Sequence, residues 1–236
     1  MQRKSGTPAL PIADVRAVVF DAVGTLLDPD PPAPAVYEAV GRKFGSRLEA
    51  AEIATRFVAA FAQEEAVDHE ARLRTSEARE EERWRHIVAR VLDDVSDPEA
   101  CFRELFGYFS EPTTWTCAAD AAMVLEALAG RGLVLGLASN YDSRLRRVVA
   151  GLPALKPLRH LVISSEVGWR KPAPEFFAAV CRVTGFPPAN LLYIGDDRVN
   201  DYDAARIAGL RAVLFDPKGT APSAVQRISR LRDLLG

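Results

Sequence analysis

The chain has 236 residues, 48% hydrophobic and 26% charged, enough to bury a substantial apolar interior in one large domain or in a core with an insertion. A formal net charge of -2 and a pI near 6.0 give no general pull toward nucleic acid or anionic lipid, and no segment reaches the length of a membrane span. Cys101, Cys117 and Cys181 are widely spaced and odd in number, which excludes a disulfide framework and a CxxC knuckle and fits a reducing, cytoplasmic setting.

Residues 1–14 carry Arg3 and Lys4 without the apolar centre of a signal peptide and read as a mobile tail. Next, Ala17-Val18-Val19-Phe20 is short, apolar and β-branched and stops at Asp21-Ala22-Val23-Gly24-Thr25, the profile of a buried parallel strand running into a loop. The stretch 29–112 has helical periodicity and charge but no strand pattern. Pro29-Asp30-Pro31-Pro32-Ala33-Pro34 and Glu111-Pro112 bound it, so it reads as an all-helical cap on two stiff stems. Within it, Ser76 to Arg85 leads into His86 to Leu92, an amphipathic helix with an acidic start and basic later turns. Arg72, Arg74, Arg79, Arg83 and Arg85 read as a solvated face paired with neighbouring glutamates.

Beyond the insert the strand profile recurs. Leu133 to Ala138 ends at Ser139-Asn140, Leu161 to Ile163 at Ser164-Ser165, Leu191 to Ile194 at Gly195-Asp196-Asp197, and Ala212 to Phe215 at Asp216-Pro217. Helical patterns alternate with these runs at 121–129, at 143–150 behind Asp142 as N-cap, at 174–184 and at 203–208. The alternation predicts an α/β fold, a doubly wound parallel sheet made by 15–28 and 113–236.

In such sheets ligands bind beyond the carboxyl ends of the strands, and here those ends carry Asp21, Ser139 and Asp196. Asp21, followed by permissive Gly24 and Thr25 whose amides can turn toward an anion, suits a nucleophile, a metal ligand or both, or else caps a turn. Ser139 offers a hydroxyl donor or a plain Ser-Asn turn. Lys171 stands among Trp169, Pro172 and Pro174, which fix the chain and aim the ammonium at one place. Gly195 to Asp201 places three carboxylates in seven positions after a buried strand, a density that needs a cation or Lys171, and oxygen-only ligands favour Mg²⁺ over Zn²⁺. His69, His86 and His160 have no metal-site spacing and read as structural.

Taken together, Asp21 to Leu26, Ser139-Asn140, Lys171-Pro172 and Gly195-Asp196-Asp197 through Asn200-Asp201 resemble, in order and spacing, the four motifs of the haloacid dehalogenase superfamily, over residues 15–217. Phe44-Gly45 and Arg83-Trp84 look most like its haloacid dehalogenase-like hydrolases. The resemblance implies a Rossmann-like core with a helical cap inserted after the first motif, and a small, phosphorylated substrate. It also implies that Asp21 attacks phosphorus or carbon to form a covalent aspartyl intermediate while Ser139 and Lys171 bind the transferring group. Gly24, Thr25 and Asn140 then bind substrate. Asp21, the Val23 carbonyl, Asp196 and Asp201 then hold Mg²⁺, with Asp201 also orienting Lys171 or a water.

One position departs from the phosphatase pattern. The family's phosphatases have a second aspartate two residues after the nucleophile, as general acid and base, and here Val23 stands there. An aliphatic side chain transfers no proton, and losing a general acid typically costs about 10² to 10⁴ in rate. Aryl and acyl phosphates, whose leaving groups need little protonation, suffer least. The dehalogenases also lack that aspartate, and their Asp-Ala-Tyr-Gly-Thr-Leu is similar to the segment here, which makes 2-haloacid dehalogenation the alternative. Retention of Asp196, Asp197 and Asp201 speaks for the phosphatase, and a pseudo-enzyme that binds a phospho-ligand or protein without turnover is a third reading.

Overall fold

The computed structural model describes residues 14–236. The mobile-tail expectation for 1–14 therefore lies, apart from Asp14, outside the described residues. In chain order the elements are β1 Ala17–Phe20, β2 Leu27–Pro29, α1 Ala33–Lys43, α2 Ala50–Glu70, α3 Glu77–Val91, α4 Pro98–Tyr108, β3 Trp115–Cys117, α5 Ala121–Gly130, β4 Val134–Ser139, α6 Arg144–Gly151, β5 His160–Ile163, α7 Ser164–Val167, α8 Pro174–Thr184, β6 Leu191–Gly195, α9 Ala204–Ile207, β7 Arg211–Phe215 and β8 Arg227–Ile228. Six of the strands form one parallel sheet in the order β5-β4-β1-β6-β7-β8.

The two-residue period of β1 explains why it sits at the centre. Val18 and Phe20 pack on one face with α5 and α6, while Ala17 and Val19 pack on the other with α8 and α9, so all four residues are buried. The fold is a doubly wound α/β sheet with helices on both faces, as its strand-helix alternation requires. Cys101, Cys117 and Cys181 are free thiols. Among the described residues no helix is long and apolar enough to cross a membrane.

The helices α1 to α4 have a separate apolar core, in which Tyr37 and Val40 of α1, Ile53 of α2, Ile87 of α3 and Phe102 and Leu105 of α4 meet. Three features differ from the sequence reading. The stems of this helical unit are not plain connectors, because β2 and β3 pair antiparallel, Leu27 opposite Cys117 and Pro29 opposite Trp115. These runs are too short for periodicity to reveal. The segment expected to be helical from 203 begins earlier, as a wide π turn over Arg198–Asp203 whose amides at Val199 and Asn200 are capped by the Asp197 carboxylate. The helix after Asp142 starts at Arg144, with Asp142 accepting the Arg144 amide at 3.1 Å.

Two of the cap arginines, Arg79 and Arg83, depart from the solvated reading, whereas Arg72 and Arg74 are exposed and Arg85 pairs with Glu81 at the surface. Arg83 is 1% exposed, and with Arg79 and Arg170 it surrounds the buried carboxylate of Asp68, while Arg79 also reaches Glu64 at 2.7 Å. One terminal nitrogen of Arg83 has no hydrogen-bond partner among the described residues, and its guanidinium lies 4.5 Å from the Phe61 ring. Helical spacing gave the sign of these charges but not their burial, which is set by carboxylates on α2 facing α3. Removing one member of a buried ion cluster strands the others. Asp68→Ala is therefore expected to lower the free energy of unfolding by about 3 to 5 kcal/mol in denaturant titration, and a loss below about 1 kcal/mol would show that the cluster is solvated in solution.

Candidate active site

The register of the central strands assembles the site. Ile194 of β6 stands opposite Phe20 and Leu137 of β4 opposite the same residue, so the chain continuing past each strand brings Asp21, Ser139 and Asp196 to one edge. The Asp21 amide donates to the Ile194 carbonyl at 2.7 Å and fixes where the carboxylate leaves the sheet. Asp21, Ser139, Lys171 and Asp201 are buried, and Asp196 is exposed.

Lys171 enters from the loop before α8. Its ammonium donates to Asp21 Oδ1 at 2.7 Å and to Asp201 Oδ1 at 2.6 Å, and it lies 5.7 Å from the Tyr193 ring centre. Burial alone would discharge this lysine, but the Asp201 and Asp21 charges outweigh it and hold the ammonium well above its ordinary value. Asn140 holds the lysine's backbone from both sides. Its amide nitrogen donates to the Lys171 carbonyl at 3.0 Å and its amide oxygen accepts the Lys171 N–H at 2.7 Å. The loop is also strapped to the helical unit: the Arg170 amide donates to the Leu73 carbonyl, the Thr75 amide to the Gly168 carbonyl, and the Arg170 guanidinium to Glu80.

Ligand atoms of Asp21, Asp196 and Asp201 lie within 4.8 Å of one another, and one ammonium does not balance three carboxylates. Burial, with the Asp21 charge added to it, pushes Asp201 up to about 7 against the pull of Lys171. Protein crowding around the Asp196 carboxyl, which keeps an exposed face, and the Asp21 charge push it up to about 6. Asp201 Oδ1 is taken by Lys171 and its Oδ2 by the Asp197 amide at 3.0 Å, whereas Asp21 Oδ2 has no donor among the described residues and Asp196 keeps an exposed face. This donor set, all oxygen and with free lone pairs, fits a hard divalent cation such as Mg²⁺.

The first loop differs in detail from its sequence reading. Gly24 and Thr25 do not present their amides to the site, because these donate to the Leu27 and Ala22 carbonyls within the loop. Gly24 is required for a different reason. Its φ is +85°, and a Cβ there would stand 2.5 Å from Asp196 Oδ2. The Thr25 hydroxyl donates to Asp196 Oδ1 at 3.2 Å. The amides of Ala22 and Val23, the Val23 carbonyl and the Ser139 hydroxyl have no hydrogen-bond partner among the described residues, which leaves a ring of unused polar groups around Asp21.

Periodicity in the insert contains a signal that the motif reading passed over. Phe57 and Phe61 of α2, Trp84 and Val88 of α3, and Phe102 and Phe106 of α4 repeat at i, i+4, and they converge on a cavity of about 270 Å³ that reaches Val23, Asn140 and Arg144.

A family model described as haloacid dehalogenase-like hydrolase matches residues 15–209. The human protein named haloacid dehalogenase-like hydrolase domain-containing protein 3 is 30% identical over 136 residues, 56% of this chain and 54% of its own length, so the chain spans about half of that relative. The phosphoserine phosphatase of Thermus thermophilus is 29% identical over 245 residues, 93% of this chain and 98% of that protein. The crystal structure of YfnB from Bacillus subtilis, bound to magnesium, superposes with a TM-score of 0.76 at 18% identity, covering 93% of this chain and 96% of that one, a likeness of fold. With the family model spanning most of the chain and the parallel sheet carrying its motif residues to one edge, this protein belongs to the haloacid dehalogenase-like hydrolase family.

Proposed function

We propose that the chain is a magnesium-dependent phosphatase-type hydrolase with Asp21 as nucleophile, acting on a small phosphorylated molecule. The observation that carries this reading is the group of Asp21, Asp196 and Asp201 around a single ammonium, a site with net negative charge that a phosphate dianion cannot enter without a cation. Asp21, Asp196 and the Val23 carbonyl would hold Mg²⁺, with Asp201 behind them, and the ion when bound supplies charge neutralisation for the phosphoryl group.

Lys171 fixes Asp21 Oδ1, which leaves Oδ2 to attack phosphorus as the bond to the leaving oxygen breaks. The Lys171 ammonium, the Ser139 hydroxyl and the free amides of Ala22 and Val23 donate to the phosphoryl oxygens. Asn140 acts through Lys171 by holding its backbone, and Gly24 and Thr25 act through Asp196, one by making room and one by donating to it. Water then attacks the aspartyl phosphate, releasing phosphate and restoring Asp21. The free thiols fit a reducing cytoplasm. Val23 and the apolar cavity beside it favour the second reading, 2-haloacid dehalogenation. The deciding experiment screens phosphate esters, acyl phosphates and 2-haloacids with and without Mg²⁺. Phosphate release that requires Mg²⁺ and is lost in Asp21→Asn is the expected outcome, and metal-independent halide release would put the dehalogenase in its place.

The raised carboxyls give the cation site a pH signature. Asp196 near 6 and Asp201 near 7 take up protons as pH falls, and protons compete with the cation, so affinity falls with falling pH. Calorimetry is expected to show Mg²⁺ binding about tenfold weaker at pH 6 than at pH 8 and weaker again in Asp196→Asn. Equal affinity at both pH values would remove these carboxylates from the site.

Val23 is 37% exposed and lines the cavity, so a longer side chain there has room to meet a leaving oxygen. Val23→Asp is expected to raise turnover of an alkyl phosphate on the order of 10²-fold and of an aryl phosphate by less, while Val23→Asn, similar in shape but without the acid, does neither. Equal behaviour of the two variants would show that proton transfer at this position does not limit the reaction.

A further inference from the structure

Arg144 decides what the cavity accepts. It is the only charged residue among the lining ones, and its charge is already matched: Nε and one terminal nitrogen donate to the two oxygens of Asp142 at 2.8 and 2.7 Å, and the other terminal nitrogen donates to the Phe106 carbonyl. The guanidinium carbon sits 3.4 Å from the centre of the Phe106 ring. Asn140 has its amide oxygen and nitrogen on the Lys171 backbone. The remaining lining is aromatic and aliphatic, from α1, α2, α3 and α4 and from Trp115 and Tyr141. Two hydroxyls are left over. Tyr37 and Tyr141 are 2% and 6% exposed, and neither hydroxyl has a hydrogen-bond partner among the described residues.

A charged ligand group buried here would lose its hydration and find no unpaired countercharge. An aromatic one would meet ring faces and edges on every side. At about 270 Å³ the space is nearly twice the roughly 150 Å³ that suffices for benzene in an apolar cavity. It ends at Val23, where the general acid is missing, and a phenolic oxygen is the kind of leaving group that departs without one. Two separate features, the lining and the missing carboxylate, therefore select the same chemistry.

We infer that the leaving group of the substrate is an uncharged aromatic alcohol of one or two fused rings, seated in this cavity with any neutral polar substituent on Tyr37 or Tyr141. The inference rests on the phosphatase reading above. Asp21 Oδ2 bonds to phosphorus, the phosphorus–aryl oxygen bond breaks with its electron pair going to oxygen, and the phenolate takes its proton from solvent. Water then cleaves the aspartyl phosphate.

The test compares kcat/KM with Mg²⁺ for three probes: 2-naphthyl phosphate, acetyl phosphate, which has a good leaving group but no apolar body, and O-phosphoserine, which brings a carboxylate and an ammonium. 2-Naphthyl phosphate is expected to exceed acetyl phosphate by about tenfold and O-phosphoserine by about 10³-fold. Phe57→Asp, which places a carboxylate in the cavity, is expected to lower the ratio of naphthyl to acetyl turnover about tenfold. Should that variant fail to fold, competition in the unaltered protein carries the test: 2-naphthol inhibits naphthyl phosphate turnover competitively and glycerol does not. Acetyl phosphate turned over as fast as the aryl ester, or O-phosphoserine preferred to it, overturns the inference and leaves the phosphatase reading intact. Magnesium-dependent phosphate release from none of the three overturns both.

Discussion

The ammonium of Lys171, buried between Asp21 and Asp201, is the interaction on which the arrangement of the site depends. Three carboxylates gathered at one sheet edge repel one another, and burial opposes charge on Asp201 and, less completely, on Asp196. A lysine at 2.7 and 2.6 Å from two of them makes the gathering tolerable, and it does so as a point charge that leaves one oxygen of Asp21 free. Its position is in turn fixed by backbone contacts rather than by its own flexible stem. Asn140 holds its peptide group, and the residue before it is tied to the helical unit through Leu73 and Glu80. The cap thus reaches the chemical centre through the chain that carries the lysine as well as through the cavity it covers.

The parts of this architecture that were legible in the sequence are those governed by local pattern. β1 is four buried residues in a row because both faces of a central parallel strand are covered, and such a run announces itself. The helical pattern from Pro174 to Thr184 is α8, which Gly185 closes in the left-handed conformation. Asp21, Ser139 and Asp196 meet at one edge because strand ends in a parallel sheet converge, and Lys171 and Asp201 reach the same edge from the loop before α8 and from the turn after β6.

What was not legible depends on which groups face each other across long sequence separations. Arg83 and Asp68 are on different helices, and nothing in the spacing of either says that both are buried. The Gly24 amide was expected to face an anion, but it donates to the Leu27 carbonyl across the turn while the amides of Ala22 and Val23 stay free among the described residues, and the glycine is needed because Asp196 comes so close. The resemblance implies Asn140 as a substrate contact. Its amide holds a peptide group 31 positions away, a pairing that no local pattern announces.

The two ends of the pocket divide the energetics. At the sheet edge, fixed charges and unused donors act on a phosphoryl group, and their worth rises as water is excluded. At the cap end the contribution is burial of apolar surface, about 25 cal/mol for each Å² removed from water, with no charge to satisfy. A missing general acid forfeits about 3 to 5 kcal/mol of barrier lowering. Burying a two-ring leaving group with roughly 150 Å² of apolar surface recovers a similar amount of binding free energy. That recovery lowers the barrier to the chemical step only where the apolar contacts hold the ester with its phosphorus in line with Asp21 Oδ2. Val23, standing between the two ends, joins the apolar surface where a carboxylate would have broken it.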